Sequence, residues 1–115
     1  MFMKKRIDKK LWGWEEILAL NEVCSVKILN VRPKQKFSLQ KHKKREEFWR
    51  IIEGNCRVWF GSRRILAKPG DEFFIRKGQL HRAEALSKPV SVLEISFGKF
   101  DKRDIIRVED DYGRV

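Results

Sequence analysis

The chain alternates apolar and polar positions in short runs, and this pattern predicts β-strands. The clearest run covers 23–31, and Arg32-Pro33 ends it because proline cannot continue a strand ladder. Its alternation separates two faces, one carrying Val26, Ile28 and Asn30 and the other carrying Lys27, Leu29 and Val31. Further strands are predicted over 37–42, 49–52, 56–60, 63–67, 73–75, 80–86 and 90–97.

Short strands at close intervals, separated by Gly and Pro turns, indicate an all-β fold. No segment before the tail has a convincing helical period, so we expect a β-sandwich or a barrel-like jelly roll. The 115 residues are enough for one domain, 1–115, with its own core. The charged tail from Asp101 to Arg114 need not extend the sheet. Core positions are the expectation for the four tryptophans, Trp12, Trp14, Trp49 and Trp59.

Charge and composition limit the classes of function. Lys and Arg number 27 against 16 acids, a net charge of +11 that would attract nucleic acid, anionic lipid or a phosphorylated small substrate. We expect no nucleic-acid partner, because no recognition helix or basic-aromatic module is evident. No apolar run approaches the ~20 residues that span a bilayer. The basic start, 1–6, lacks an apolar segment after it, so we expect no signal peptide and a cytoplasmic protein.

Four side chains suggest a metal site. Gln40 and His42 are two residues apart, so on a strand they leave the same face, and Glu47 follows across one turn. His81 is distant in sequence but has a similar strand context. Whether these four meet is a question of tertiary structure. Cys24 and Cys56 lack metal-type spacing and are interpreted as small buried or half-buried apolar residues.

The spacing Gln40-x-His42-x4-Glu47-x6-Gly54, followed later by His81, resembles the two motifs of the cupin superfamily. The chain is most similar to the mannose-6-phosphate isomerase domain at the carboxyl end of bifunctional type II enzymes. The residues that carry the likeness along nearly the whole chain are Trp12-Gly13-Trp14, Ser38-Leu39-Gln40, His42, Arg45, Glu47, Trp49, His81-Arg82, Glu84, 104–110 and Tyr112-Gly113-Arg114.

The resemblance implies a metal-dependent isomerase that interconverts mannose 6-phosphate and fructose 6-phosphate through a cis-enediol. It makes the metal ligands Gln40, His42, Glu47 and His81. This donor set suits one divalent transition metal ion, with zinc favoured and manganese, cobalt, nickel or iron as alternatives. The implied partner is a phosphorylated sugar, and cupin relatives lead us to expect a homodimer.

Four further residues are candidates for substrate contact or proton transfer. Arg82 and Arg107 are predicted to hold the phosphate, with Arg45 as a third candidate and Arg82 also as a catalytic residue. The alternative for each is a surface charge. Glu94 is the candidate base if it points into the barrel, where burial would raise its pKa; otherwise it is an outward ion-pair partner.

Departures from the family pattern keep other functions open. Lys43, Lys44 and Phe48 stand where the type II enzymes often carry histidines, and Lys10-Leu11 replaces the usual Arg-Pro. Lost substrate contacts would favour a non-catalytic sugar-binding or regulatory cupin. A different metal-dependent cupin enzyme, such as a dioxygenase, is the other alternative. These 115 residues include no guanylyltransferase domain, so GDP-mannose synthesis is not expected of the chain by itself.

Overall fold

The computed structural model describes residues 5–115, and the expectation about a signal peptide at 1–6 falls largely outside them. The described part is built from strands, with one short 3-10 helix at Lys102–Asp104, which confirms the all-β prediction. No helix in it is long and apolar enough to cross a membrane. The eleven strands are β1 Arg6–Lys10, β2 Gly13–Ile17, β3 Cys24–Val31, β4 Leu39–Lys41, β5 Glu46–Glu53, β6 Cys56–Phe60, β7 Arg63–Ala67, β8 Glu72–Ile75, β9 His81–Ala85, β10 Val90–Phe97 and β11 Ile106–Glu109.

Two antiparallel sheets form the jelly roll. One has the strand order β3-β10-β5-β8 and the other β11-β4-β9-β6-β7. The inward faces of both sheets supply the core, in which Trp49, Val58 and Val92 are fully buried. Burying such side chains contributes roughly 1.5–3 kcal/mol each.

Strand β3 has the two faces that its alternation predicts, with an unusual distribution of polarity. Val26 and Ile28 are exposed on the outer face, while Lys27 is half-buried on the other face with Leu29 and Val31. An ordinary half-buried strand turns its apolar residues inward and its charged residues toward water. Lys27 therefore lies on the side where an apolar residue is expected.

The first two strands correct the prediction for two tryptophans. β1 and β2 pair only with each other as a two-stranded hairpin, separate from both sheets. Trp12 and Trp14 are 72% and 64% exposed, so the prediction that they belong to the core is wrong. The hairpin is joined to β5 through the Glu16–Arg50 ion pair at 3.0 Å, and this contact leaves both indole rings toward solvent. Trp49 is fully buried as predicted, and Trp59 is half-buried.

The tail forms a strand, although its charge gave no reason to expect one. β11 pairs with β4, placing Arg107 opposite Gln40 and Ile106 opposite Lys41. The preceding turn is also attached to the barrel, because the Asp104 carboxylate accepts hydrogen bonds from the backbone N–H groups of Lys43 and Lys44 at 3.0 and 2.9 Å. The tail thus adds β11 to the five-stranded sheet as an edge strand.

Candidate metal centre

Three side chains from different strands meet inside the barrel. His42 follows β4, Glu47 belongs to β5 and His81 begins β9, and each is at most 1% exposed. The Nε2 atoms of His42 and His81 are 3.2 Å apart. Glu47 Oε2 lies 3.4 Å from the first of these atoms, and Glu47 Oε1 lies 3.5 Å from the second. Atoms that share an ion at ~2.0–2.2 Å are separated by roughly 3.0–3.5 Å, so the spacing fits a common ion.

The outer nitrogens of the two imidazoles determine their tautomers. His42 Nδ1 lies 3.2 Å from the carbonyl oxygen of Asp104, and His81 Nδ1 lies 2.9 Å from that of Gln79. A carbonyl oxygen only accepts, so each Nδ1 carries the proton and donates it. Burial lowers the pKa of both histidines to about 4, which keeps the rings neutral at pH 7. Both Nε2 lone pairs therefore face the same point, as ligands of a metal do.

Glu47 supplies negative charge to this triad. Its Oε2 accepts hydrogen bonds from Arg45 Nε at 3.1 Å and Ser96 Oγ at 3.2 Å. Its Oε1 is buried and has no hydrogen-bond partner among residues 5–115. A buried carboxylate oxygen without a partner is costly. Two neutral imidazoles and this carboxylate could hold a divalent metal ion, and His42, Glu47 and His81 form the metal-binding group found in the described residues.

Arg45 and Gln40 lie beside the triad. Besides its bond to Glu47, the Arg45 guanidinium donates from Nη2 to His42 Nε2 at 3.4 Å. Gln40 is opposite His81 in the β4–β9 register, and its Oε1 accepts from Ser38 Oγ at 2.8 Å. The structure thus brings Gln40 next to the triad, and its role as the fourth ligand stays a prediction.

A cavity of about 200 Å³ adjoins the triad, and we call it the site cavity. Its lining comes from both sheets and the tail and comprises Lys27, Leu29, Phe37, Ser38, Gln40, Arg45, Glu94, Phe100, Ile105 and Arg114. Arg45 connects it with the metal-binding group, because this side chain both lines the cavity and bonds to Glu47.

Glu94 points into the barrel, which confirms the inward alternative. It is 6% exposed and lines the site cavity, and Trp49 Nε1 donates to its Oε2 at 3.3 Å. Burial is the main reason that its pKa is raised to about 7, and the charge of nearby Glu47 raises it further. A carboxylate with a pKa near neutrality can accept and return protons at pH 7. Its catalytic role stays a prediction.

The family is decided by a match over almost the whole chain. A family model described as "Mannose-6-phosphate isomerase C-terminal" matches residues 3–110. The chain belongs to this family. The resemblance seen in the motifs is thereby confirmed at the level of the family.

Curated relatives in this family are much longer than the chain. A mannose-1-phosphate guanylyltransferase of Klebsiella pneumoniae is 33% identical over 105 residues, covering 90% of the chain and 22% of the relative. The guanylyltransferase ManC of Salmonella typhimurium is 31% identical over 106 residues, with the same two shares. The chain therefore spans about a fifth of the length of these relatives.

Solved structures confirm the cupin fold. A Klebsiella pneumoniae protein with a double-stranded β-helix domain superposes with a TM-score of 0.67 at 20% identity, covering 82% of the chain and 81% of that protein. At this identity the likeness supports the fold alone. It agrees with the predicted cupin-type jelly roll.

The structure places Arg82 and Arg107, two of the predicted phosphate-binding residues, on opposite faces of the five-stranded sheet. Arg82 follows His81 and so leaves the opposite face of β9, where its guanidinium donates to the Phe37 carbonyl at 2.8 Å and to Glu109 Oε1 at 3.0 Å. Arg107 lies opposite Gln40, and its Nε is buried without a partner among residues 5–115. The structure does not bring Arg82 to the triad, and the roles of both residues stay predictions.

Sequence reasoning missed two cations of the site cavity, Lys27 and Arg114. A signal for Lys27 was available, because it is the one charged residue on the face that it shares with Leu29 and Val31. Arg114 was among the residues that carry the family resemblance, but no local pattern placed it at the cavity. Its position depends on the turn after β11, where Asp110 accepts two of its side-chain hydrogen bonds at 2.7 and 2.8 Å.

Proposed function

We propose that the chain is a metal-dependent isomerase that interconverts mannose 6-phosphate and fructose 6-phosphate through a cis-enediol. The observation that carries this proposal is the placement of a buried His-Glu-His metal-binding group beside a cavity that holds an acid with a pKa near 7. The family match supports the same reaction. The names of the relatives also include a phosphorylated mannose as substrate.

His42, Glu47 and His81 would hold the ion, with Gln40 as the fourth ligand. A divalent transition metal supplies Lewis acidity, which polarises the substrate oxygens at C1 and C2. Zinc is favoured by the two imidazoles, while manganese, cobalt, nickel and iron(II) also accept this donor set.

Glu94 is the proposed proton carrier. Its carboxylate removes the proton from C2 of the open-chain aldose, which leaves an enediolate with its charge on O1. The proton of the C2 hydroxyl then moves to O1, and protonated Glu94 delivers its proton to C1 as the C2 carbonyl forms. The reverse reaction uses the same transfers in the opposite order. A pKa near 7 suits this function, because acid and base forms are both populated at neutral pH. Glu94 is only 6% exposed, which limits exchange of its proton with bulk water.

The phosphate of the substrate needs a cationic partner. Arg45 lines the site cavity, so it remains a proposed phosphate contact, although its guanidinium already bonds to Glu47 and His42. Arg107 is retained as a second proposed contact. Arg82 is the weakest of the predicted set, because its donors are used by Phe37 and Glu109.

The deciding experiment loads the purified chain separately with zinc, manganese, cobalt, nickel and iron(II) and follows fructose 6-phosphate formation from mannose 6-phosphate. We expect turnover with at least one metal. A folded, metal-loaded sample that binds the sugar phosphate without turnover would contradict the isomerase and support the non-catalytic cupin. Oxygen consumption by the iron(II) form with an organic substrate would instead support a dioxygenase.

Three further expectations remain predictions. They are the homodimer, the absence of a nucleic-acid partner and the cytoplasmic location. The oligomeric state is measured by light scattering, and a salt-dependent affinity for DNA or RNA would contradict the second expectation.

A further inference from the structure

Lys27 occupies an inward position that strands normally reserve for apolar side chains. It lines the site cavity together with Glu94, which is its register partner on β10. The residues on either side of it, Val26 and Ile28, are 62% and 49% exposed. A lysine turned inward loses hydration, which is unfavourable unless another group compensates its ammonium. Lys27 therefore brings a positive charge into the cavity at a position where an apolar side chain is expected.

The surroundings of Lys27 leave its ammonium available. Its Nζ lies 3.4 Å from the centroid of the Phe100 ring, and the Arg45 guanidinium carbon lies 4.4 Å from the same centroid. Within the described range 5–115, Lys27 Nζ makes no ion pair with a carboxylate and no hydrogen bond. The nearest acid by register, Glu94, accepts its hydrogen bond from Trp49 Nε1 and makes no ion pair with Lys27. An aromatic face attracts a cation but does not use its N–H donors as an anion does.

The other two cations of the cavity are already engaged. Arg45 bonds to Glu47 and to the carbonyl oxygen of Asp101. Arg114 donates from Nε and Nη2 to the two carboxylate oxygens of Asp110. Lys27 is thus the cation of this lining that has no carboxylate partner among residues 5–115. A half-buried ammonium without such a partner attracts an anion, and its N–H donors can bind one.

We propose that Lys27 is the phosphate anchor of the site cavity, binding the phosphoryl group of a sugar phosphate with Arg114 as a flanking cation. The sugar identity rests on the proposed function, whereas the binding of a phosphoryl dianion does not. Lys27 pairs in register with Glu94, so a phosphate bound there shares the cavity with the proposed proton carrier. This assigns the phosphate to a lysine on β3 in place of the arginine on β9.

The test measures binding of inorganic phosphate, mannose 6-phosphate and unphosphorylated mannose by calorimetry, using the chain and its Lys27→Met variant. Lys27→Met keeps an unbranched apolar stem and removes the charge. We expect about a tenfold or greater loss of affinity for both phosphorylated ligands, with mannose affinity unchanged. Lys27→Arg should restore phosphate affinity to within about threefold, because it keeps the charge. Equal affinities of Lys27→Met and wild type for both phosphorylated ligands would overturn the proposal.

The matched control is Lys88→Met, since Lys88 is an exposed lysine in the β9–β10 connection and does not line the site cavity. It removes the same charge and should leave all three affinities unchanged. An equal loss in this control would attribute the effect to net charge and overturn the proposal. Circular dichroism checks that each variant is folded. If Lys27→Met does not fold, the side-chain carbon and proton signals of Lys27 in the wild type should shift on phosphate addition, and unchanged signals would overturn the proposal.

Failure of the isomerase reaction and failure of this inference give different results. Lys27-dependent phosphate binding without turnover would leave the anchor in place and remove the isomerase function. Turnover with the same KM for mannose 6-phosphate in wild type and Lys27→Met would keep the isomerase and remove the anchor.

Discussion

Two regions of this barrel bury charged side chains, and they differ in how fully those charges are satisfied. On the outer face of the five-stranded sheet, Arg82 is 1% exposed and donates to the Phe37 carbonyl and to Glu109. In the interior, Glu47 Oε1 has no partner in 5–115 and two imidazole lone pairs face each other at 3.2 Å. In the first arrangement the charge has its partners, whereas the second leaves Glu47 Oε1 without a donor and could hold a metal ion.

Burial of a charged group therefore does not by itself indicate function. Arg82 and Glu47 are equally buried, yet the arginine attaches the tail strand β11 to the sheet and the glutamate leaves an oxygen unused. Buried polar groups in folded proteins are nearly always paired, so an unpaired one is the informative exception. Substitutions at the triad should therefore affect metal binding and activity, whereas substitution of Arg82 should affect stability.

The largest effect is expected from the imidazoles. His42→Ala or His81→Ala should reduce metal affinity by about 100-fold or more and abolish isomerase activity, because the remaining ligands cannot replace a lost imidazole. Metal content after dialysis and turnover with added metal are the measurements. Retention of stoichiometric metal by His42→Ala would place the site elsewhere.

Glu94→Gln should separate metal binding from chemistry. The amide cannot accept and return a proton, so we expect a loss of about 10²–10⁴-fold in kcat with metal content unchanged. The control is Glu84→Gln, which changes a carboxylate on the outer side of β9 that pairs with Arg57. A Glu94→Gln variant with wild-type kcat would remove Glu94 from the mechanism.

The same residue predicts a pH dependence of stability. The pKa of Glu94 is raised from 4.5 to about 7, so between these values the folded chain binds more protons than the unfolded chain. In the metal-free protein, the contribution of Glu94 to the free energy of unfolding is therefore fully present below pH 4.5. It is lost as the pH rises through 7, because the buried carboxyl group then ionises. Glu94→Gln should raise the free energy of unfolding at pH 8 by about 1–3 kcal/mol and less at pH 5. Urea unfolding at both values checks this, and an equal change at both would contradict it.

Arg82→Met tests the region in which the buried charge has hydrogen-bond partners. Removing the guanidinium leaves the Phe37 carbonyl without its donor and detaches Glu109, so we expect a loss of about 2 kcal/mol in urea unfolding with metal content unchanged. Arg57→Met is the matched control, because the Arg57–Glu84 pair is half exposed and should contribute less than about 1 kcal/mol. A tenfold rise in KM for mannose 6-phosphate in Arg82→Met would restore the role in phosphate binding predicted from the sequence.

The smallest effect is expected at the hairpin. Trp12→Ser should change the free energy of unfolding by no more than about 0.5 kcal/mol, because the ring is mostly exposed. Trp49→Ser provides the contrast, since removal of a fully buried tryptophan should cost about 3–5 kcal/mol. Similar losses in the two variants would show that Trp12 is buried in solution, as it would be in an assembly.

The alternation of apolar and polar residues predicted many of the strands. The strands β3, β6, β7 and β10 have the bounds expected from alternation and turn residues to within about one residue, since the side-chain period of two is a local property. The hairpin β1–β2 and the strand β11 were not predicted. These strands are four or five residues long and rich in charge, so the alternation at 106–109 is too short to be distinctive, and pairing with a neighbouring strand completes them.

The candidate site was predictable to the extent that its residues share a motif. Gln40, His42 and Glu47 came from one stretch, and the resemblance to cupins added His81. Alternation placed Glu94 on the same face as Val92 and Ser96 but left the direction of that face open, and the structure shows that it points inward. The sequence could not predict that Arg45 lines the cavity while Arg82 lies on the outer face of the sheet. Which face of a strand is covered, and by which element, depends on contacts with distant segments.

The sequence by itself determined the strand class, the alternation that turns Lys27 and Glu94 to the same side as their apolar neighbours, and the order of the metal-binding residues along the chain. Tertiary structure decided that His42 and His81, 39 positions apart, bring their Nε2 atoms within 3.2 Å. It also decided that the tail engages Arg82, and that Lys27 reaches the cavity with its donors free of acceptors in 5–115. The reason is physical: side-chain alternation is set within a few residues, whereas strand register and coverage depend on contacts between segments far apart in the chain.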